Sequence, residues 1–255
     1  MTKADASRRT GARKVQTSGK KKQDDVASER TSATGGARQR SRRKRALPRG
    51  AIALIDALGF KGIWKTPESP DLKPLQTLLS VRDAMGRRAK FWAGLFSNAD
   101  TMPWGLRRVR LEVHIVSMSD TVAVAVTVSG PQGKTAVTRL PLRKGETIER
   151  FWDSLSRALV VDCVAHGLKA AALSDRALAF RGVVSVGHLL LRETLLIGPA
   201  VDEAASLMDS ADGPFVWMAP SALRLRHMTG APLDLYQTGT WAWKLPLKDG
   251  RTLQT

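Results

Sequence analysis

Apolar positions begin abruptly after Gly50. Ala51-Ile52-Ala53-Leu54-Ile55 is a short continuous apolar run closed by Asp56, with Gly59 three residues on. That pattern predicts a buried strand running into a turn. From Leu72 to about Phe96 the spacing of Leu75, Leu78, Leu79 and Arg82 predicts a helix, weakened in its middle by Gly86. Val109, Leu111, Val113 and Ile115 then alternate with Arg110, Glu112 and His114. After Ser117-Met118-Ser119-Asp120, the valines at 122, 124, 126 and 128 repeat at period two. This predicts a β-hairpin with Asp120 at or near its tip.

Glu146 to about His166 reads as an amphipathic helix with Phe151, Leu155, Leu159 and Val160 on one face. Arg181–Val186 and His188–Ile197 read as a second strand pair turned at Gly187. Gly198-Pro199 opens a helix through Ala204, Ala205 and Leu207, since proline suits a first helical turn. A strand at Phe215–Met218, a short helix near Ser221–Met228 and a last strand around Thr240–Leu245 complete the order. The sum predicts an α+β domain: a mixed sheet with helices packed on it, without internal repeats.

Residues 1–49 are different. Val15, Val26 and Leu47 are nearly their only large apolar side chains, so they cannot bury enough surface to offset ordering entropy. They read as a disordered basic tail ahead of a folded domain at 50–255. The 255-residue chain has 41 Lys and Arg against 23 Asp and Glu, a formal charge of +18. Residues 1–50 hold 16 of the basic and 4 of the acidic residues, so the basicity belongs mainly to the tail. Its densest cluster is Arg38, Arg40, Arg42, Arg43, Lys44 and Arg45. Such an arm can make salt-sensitive contacts with nucleic acid or another acidic surface. A merely solubilising leader is the preferred reading, because no aromatic is interleaved for base stacking. One cysteine, Cys163, excludes an internal disulfide and a multi-cysteine zinc site. The N-terminus has no apolar signal-peptide core and no run is long enough for a membrane helix, so a cytosolic chain is expected.

Two carboxylates stand in unusual places. Asp56 ends a buried strand, where an unpaired charge is costly, and Asp120 lies at a hairpin tip between Ser119 and Thr121. If the hairpin pairs beside the first strand, both meet at one sheet end, where their oxygens suit Mg²⁺ or Mn²⁺. The backbone N–H groups of the turn Ala57-Leu58-Gly59-Phe60 can then cradle phosphates at a helix N-terminus, with Lys61 as an added cation. The plainer reading is that both aspartates are ordinary turn residues. His114, His166, His188 and His227 are scattered without metal-ligand spacing, and His188 alone falls near the supposed site. Cys163 reads as a core residue. Trp64, Trp92, Trp104 and Trp152 read as packing residues, and Trp241 and Trp243 share one face of the last strand.

Three segments carry a resemblance: Ile52–Lys61 (IALIDALGFK), Val116–Val124 (VSMSDTVAV) and Arg181–Ala205 (RGVVSVGHLLLRETLLIGPAVDEAA). In order and spacing they resemble the motifs of class III nucleotidyl cyclases, closest to the bacterial pyrimidine cyclases of the Pycsar anti-phage system. The resemblance implies a ferredoxin-like catalytic core, a homodimer with its active site at the subunit interface, and two Mn²⁺ or Mg²⁺ ions per site. It matches Asp56 and Asp120 to the metal-binding aspartates and the Ala57 carbonyl to a further metal ligand. It departs from purine-using members at Val116, where they carry lysine, and at Leu195, where an aspartate reads adenine. Asp202 stands at the family's catalytic asparagine and Ser206 at its arginine. Loss of the purine-reading groups implies a pyrimidine substrate, UTP before CTP, giving 3′,5′-cyclic UMP and diphosphate. Arg181 is the candidate for the missing cation. The rival expectations are a catalytically inactive cyclase-fold nucleotide sensor or dimerisation module, and a nucleic-acid-binding protein acting through its tail.

Overall fold

The computed structural model describes residues 47–59, 72–98, 109–130, 142, 144–175, 178–193, 195–225 and 244–254. The arginine cluster of the tail, Phe60, Lys61, Trp64, Trp104, His227, Trp241 and Trp243 lie outside these residues. The chain divides into the units Met1–Lys44 and Arg45–Thr255, and the second carries every element below.

Strand β1 (Arg49–Ala57) leads through helix α1 (Lys73–Ser97) to the hairpin β2 (Arg110–Met118) and β3 (Thr121–Ser129). Helix α2 (Ile148–Ala172) then returns the chain to β4 (Phe180–His188). The strand order β2-β3-β1-β4 is antiparallel throughout. A β-α-β-β-α-β chain laid out in that order is the ferredoxin-like arrangement. A short strand β7 (Val216–Met218) extends the sheet in parallel beside β4.

The pattern follows from burial. β1 is central and covered on both faces, so it reads as a continuous apolar run rather than an alternation. Ala51, Ala53, Ile55 and Ala57 pack beneath α1 and α2, while Ile52 and Leu54 face α3 (Pro199–Met208), Trp217 and Leu245. β2 is the edge, mostly half-buried, and keeps its alternation. Helix α1 turns Leu78, Val81, Met85, Trp92 and Phe96 inward at three- and four-residue spacing. Thr147 caps α2 by accepting a hydrogen bond from the Arg150 amide.

Charged side chains tie the elements together. Asp162, fully buried on α2, accepts from the Arg88 guanidinium and from Trp92 Nε1 at 2.7 Å. Asp153 on α2 takes the Arg49 guanidinium in a forked contact that fixes the start of β1. That contact raises the Arg49 pKa above its ordinary value. Arg157, its pKa lowered by burial, donates to the Ala222 and Leu225 carbonyls and so clamps the short helix α4 (Pro220–Leu223).

Several elements differ from the sequence expectation. β4 runs straight through Gly187, which pairs with Gly50. The separate hairpin is β5 (Leu190–Arg192) with β6 (Leu195–Ile197), turning at Glu193, whose φ is +48°. Helix α2 continues six residues beyond His166, and α4 ends at Leu223, with residues 226–228 of the expected short helix outside the described residues. The last strand, β8 (Lys244–Pro246), pairs with an unanticipated β9 (Thr252–Gln254).

Candidate active site

Asp56 is the penultimate residue of β1, opposite Thr121 on β3 and opposite Arg181 on β4. Residues opposed across antiparallel strands project from the same face, and the contacts follow. Asp56 Oδ1 accepts from the Thr121 hydroxyl at 3.2 Å. Its Oδ2 accepts from Arg181 Nε at 3.3 Å and Nη2 at 3.2 Å. The same Nη2 lies 2.6 Å from Asp209 Oδ1, at the C-cap of α3. Asp56 is only 13% exposed and Arg181 21%, whereas Asp209 is 71% exposed.

Asp120 stands in the two-residue turn between β2 and β3. Ser119 before it has φ +57°, a backbone region that tight hairpin turns ordinarily reserve for glycine. The Asp120 carbonyl accepts from the Ala57 amide at 3.0 Å, so the turn lies directly against the end of β1. A strand residue directs its N–H and C=O to the same side. The Ala57 carbonyl therefore faces the Asp120 turn. Two aspartates far apart in sequence are thus neighbours at one end of the sheet.

The phosphate cradle expected at 58–61 is narrower than its sequence suggests. The Leu58 amide donates to Ala179 at 2.8 Å and is spent on the β1–β4 ladder. Gly59 remains exposed, with φ +84° and open space where a Cβ would stand. His188 is also not near this site. It pairs with Arg49 at the opposite end of β1 and β4, and its Nδ1 contacts the Leu47 carbonyl. Cys163 is buried in the helical layer, and burial pushes its thiol pKa up to about 12.

Among the described residues no three His, Cys, Asp or Glu side chains gather into a ready-made metal cage. A Mg²⁺ or Mn²⁺ ion does not need one. Such ions are commonly held by one or two carboxylates together with water and substrate phosphate oxygens. Asp56, Asp120 and the Ala57 carbonyl, all hard oxygen donors, fit that pattern. The Arg181 contact is the feature that sequence reasoning missed, along with its second partner, Asp209. The only signal for Asp209 was an acid at a helix C-terminus, the wrong end for the helix dipole.

Val116 is buried opposite Ala123, Leu195 is half-exposed on β6, and Asp202 and Ser206 lie on the exposed side of α3. An open cleft of about 480 Å³ lies at the C-terminal end of α3, lined by Leu207, Ser210, Trp217, Pro220, Lys248 and Arg251. Neither aspartate of the pair nor Arg181 lines it. No described helix is long and apolar enough to cross a membrane.

No protein-family model and no curated protein matches the chain. Among solved structures it is similar to the catalytic core of a rhodopsin-guanylyl cyclase with converted specificity in complex with ATPαS. That match has a TM-score of 0.39 and 12% identity over 71% of this chain and 82% of the other. It is also similar to the guanylyl cyclase Cya2, with a TM-score of 0.38 and 10% identity over 71% of this chain and 80% of that one. Likeness at that level concerns general layout alone.

Proposed function

We propose that this chain is a metal-dependent nucleotidyl cyclase that converts UTP to 3′,5′-cyclic UMP and diphosphate, a second messenger in defence against phage. The observation that carries the reading is the adjacency of Asp56 and Asp120 at one end of a ferredoxin-like sheet. The three sequence motifs and the missing purine-reading groups at Val116 and Leu195 support it. Asp56, Asp120 and the Ala57 carbonyl would hold one or two divalent ions, Mn²⁺ or Mg²⁺. Bound there, such an ion supplies positive charge to the triphosphate and acidifies the ribose 3′-hydroxyl.

The chain's own groups have separate tasks. The exposed Gly59 would offer its backbone N–H to the phosphates, and Lys61, two residues on in the sequence, would add a cation. Arg181 supplies a planar cation suited to a phosphate oxygen, in place of the arginine absent at Ser206. The family resemblance implies that a second copy of the chain would complete the site. CTP is the alternative substrate, since neither pyrimidine leaves a readable motif.

One observation favours a second reading. Arg181 already occupies one oxygen of Asp56, as expected of an inactive cyclase-fold nucleotide sensor or dimerisation module. Triphosphate binding without turnover would select that reading. A protein working through its basic arm would lose nucleic-acid affinity when residues 1–46 are deleted. The cyclase instead keeps its product formation. The direct test is incubation of the purified chain with UTP and Mn²⁺. Cyclic UMP should appear, and Asp56→Asn and Asp120→Asn should each abolish it while leaving the fold intact. Turnover retained by either folded variant would refute the assignment.

A further inference from the structure

The Asp56–Arg181–Asp209 chain of charges is not explained by sheet packing alone. A nearly buried carboxylate at the end of β1 needs a counter-charge, because desolvation without one is costly. Arg181 provides it, directly across the β1–β4 ladder. Its Nε and Nη2 converge on a single oxygen of Asp56, and Nη2 makes its shorter contact, 2.6 Å, with Asp209. Asp209 is an odd choice for its position. It caps the C-terminus of α3, where the helix dipole disfavours an acid, and the last turn contains no basic residue. Helix stability does not account for it. What Asp209 gains is a grip on Arg181, from an exposed position that does not depend on Asp56.

We propose that Arg181 is a displaceable internal counter-ion. In the ion-free chain it neutralises Asp56, and when a divalent cation takes Asp56 the guanidinium is retained by Asp209. Asp209 is then a positioning residue that makes this exchange inexpensive. The inference rests on the metal site proposed above. The guanidinium and the cation cannot both sit at full strength on Asp56 Oδ2, since like charges at contact distance repel. Thr121 holds Oδ1 throughout, so the carboxylate keeps its orientation during the exchange.

The two partners of Asp56 therefore have opposite effects on cation affinity. Removing Arg181 removes the competitor. Removing Asp209 leaves Arg181 with Asp56 as its sole carboxylate partner among the described residues and strengthens the competition. A purely structural role would weaken binding in both variants or in neither.

The test is a Mn²⁺ titration of the full chain, with free ion followed by electron paramagnetic resonance and Asp56→Asn as the baseline. Arg181→Gln should bind Mn²⁺ about five- to tenfold more tightly than wild type, and Asp209→Asn more weakly by a similar factor. The double variant should behave as Arg181→Gln alone. Arg181→Gln should also melt lower than wild type without the ion and recover more on adding Mn²⁺ than wild type does. If Arg181→Gln does not fold, Arg181→Lys serves, because lysine cannot span both carboxylates as a fork. It should raise Mn²⁺ affinity in the same direction. Unchanged affinities, with wild-type binding that depends on Asp56, would overturn this inference and leave the metal site standing. Absence of any Asp56-dependent binding in wild type would overturn both.

Discussion

Replacing Asp162 with alanine tests how the two helices of the helical layer, α1 and α2, are held to each other. Asp162 is fully buried between α1 and α2 and accepts from Arg88 and from Trp92 Nε1. Arg88 is 21% exposed and stacks over the rings of Phe91 and Trp92, with centroids 4.6 and 4.9 Å away. Truncation leaves this cation in a largely apolar layer without its carboxylate and takes the indole's acceptor away. Removing one partner of a buried pair costs about 3–5 kcal/mol. Cation–π contacts, worth about 0.5–1 kcal/mol at partly exposed sites, survive and place the expected loss near the lower end. For a domain of this size that is a fall in melting temperature of roughly 6–15 °C. Urea unfolding followed by circular dichroism measures it. Asp162→Leu combined with Arg88→Met should recover most of the loss, because an apolar pair of similar volume carries no desolvation penalty. A loss below about 1 kcal/mol in Asp162→Ala, or a double variant as unstable as the single one, would show that the pair does not bear on stability.

Two further outcomes follow from packing and burial. A Cβ added at Gly182 would lie 2.3 Å from the Leu54 carbonyl oxygen, so Gly182→Ala must spread β1 from β4 and should cost about 1–3 kcal/mol. At Gly86 on α1 an added Cβ meets nothing, and Gly86→Ala should stabilise by about 0.5–1 kcal/mol, both read by urea unfolding. The Cys163 thiol, with its folded pKa raised from 9.0 to about 12, should resist a thiol-reactive disulfide reagent at pH 8 and react at once in denaturant. Between those two values the unfolded chain binds fewer protons than the folded one. Stability should therefore fall as pH rises above 9, and Cys163→Ala should lessen that fall.

Much of the fold was legible because its burial is one-dimensional. The buried run of β1, the alternation of β2 and β3 and the spacing in α1 each reported local burial directly. The same logic failed at β4, where Gly187 reads as a turn but lies opposite Gly50 in a continuous ladder. A glycine's role there depends on its cross-strand partner, which spacing along the chain does not encode. β8 and β9 are three-residue strands, too short for a periodic signal. At the site, the meeting of Asp56 and Asp120 followed once β3 was paired with β1. The Arg181–Asp56 contact needed the register of β4, and the Asp209 contact needed the placement of α3, both of which are tertiary facts. The Leu58 amide shows the same limit: it reads as a turn donor until Ala179 is seen to take it.

On the function proposed above, Asp56 and Asp120 together support cyclisation of a pyrimidine nucleotide. A competition assay decides it: the purified chain is offered an equimolar mixture of ATP, GTP, CTP and UTP with Mn²⁺, and the products are identified by mass spectrometry. Cyclic UMP and diphosphate should be the dominant products, and neither should form with folded Asp56→Asn or Asp120→Asn protein. A mixture left without any cyclic nucleotide, or cyclic UMP still formed at the wild-type rate by either variant, would contradict it.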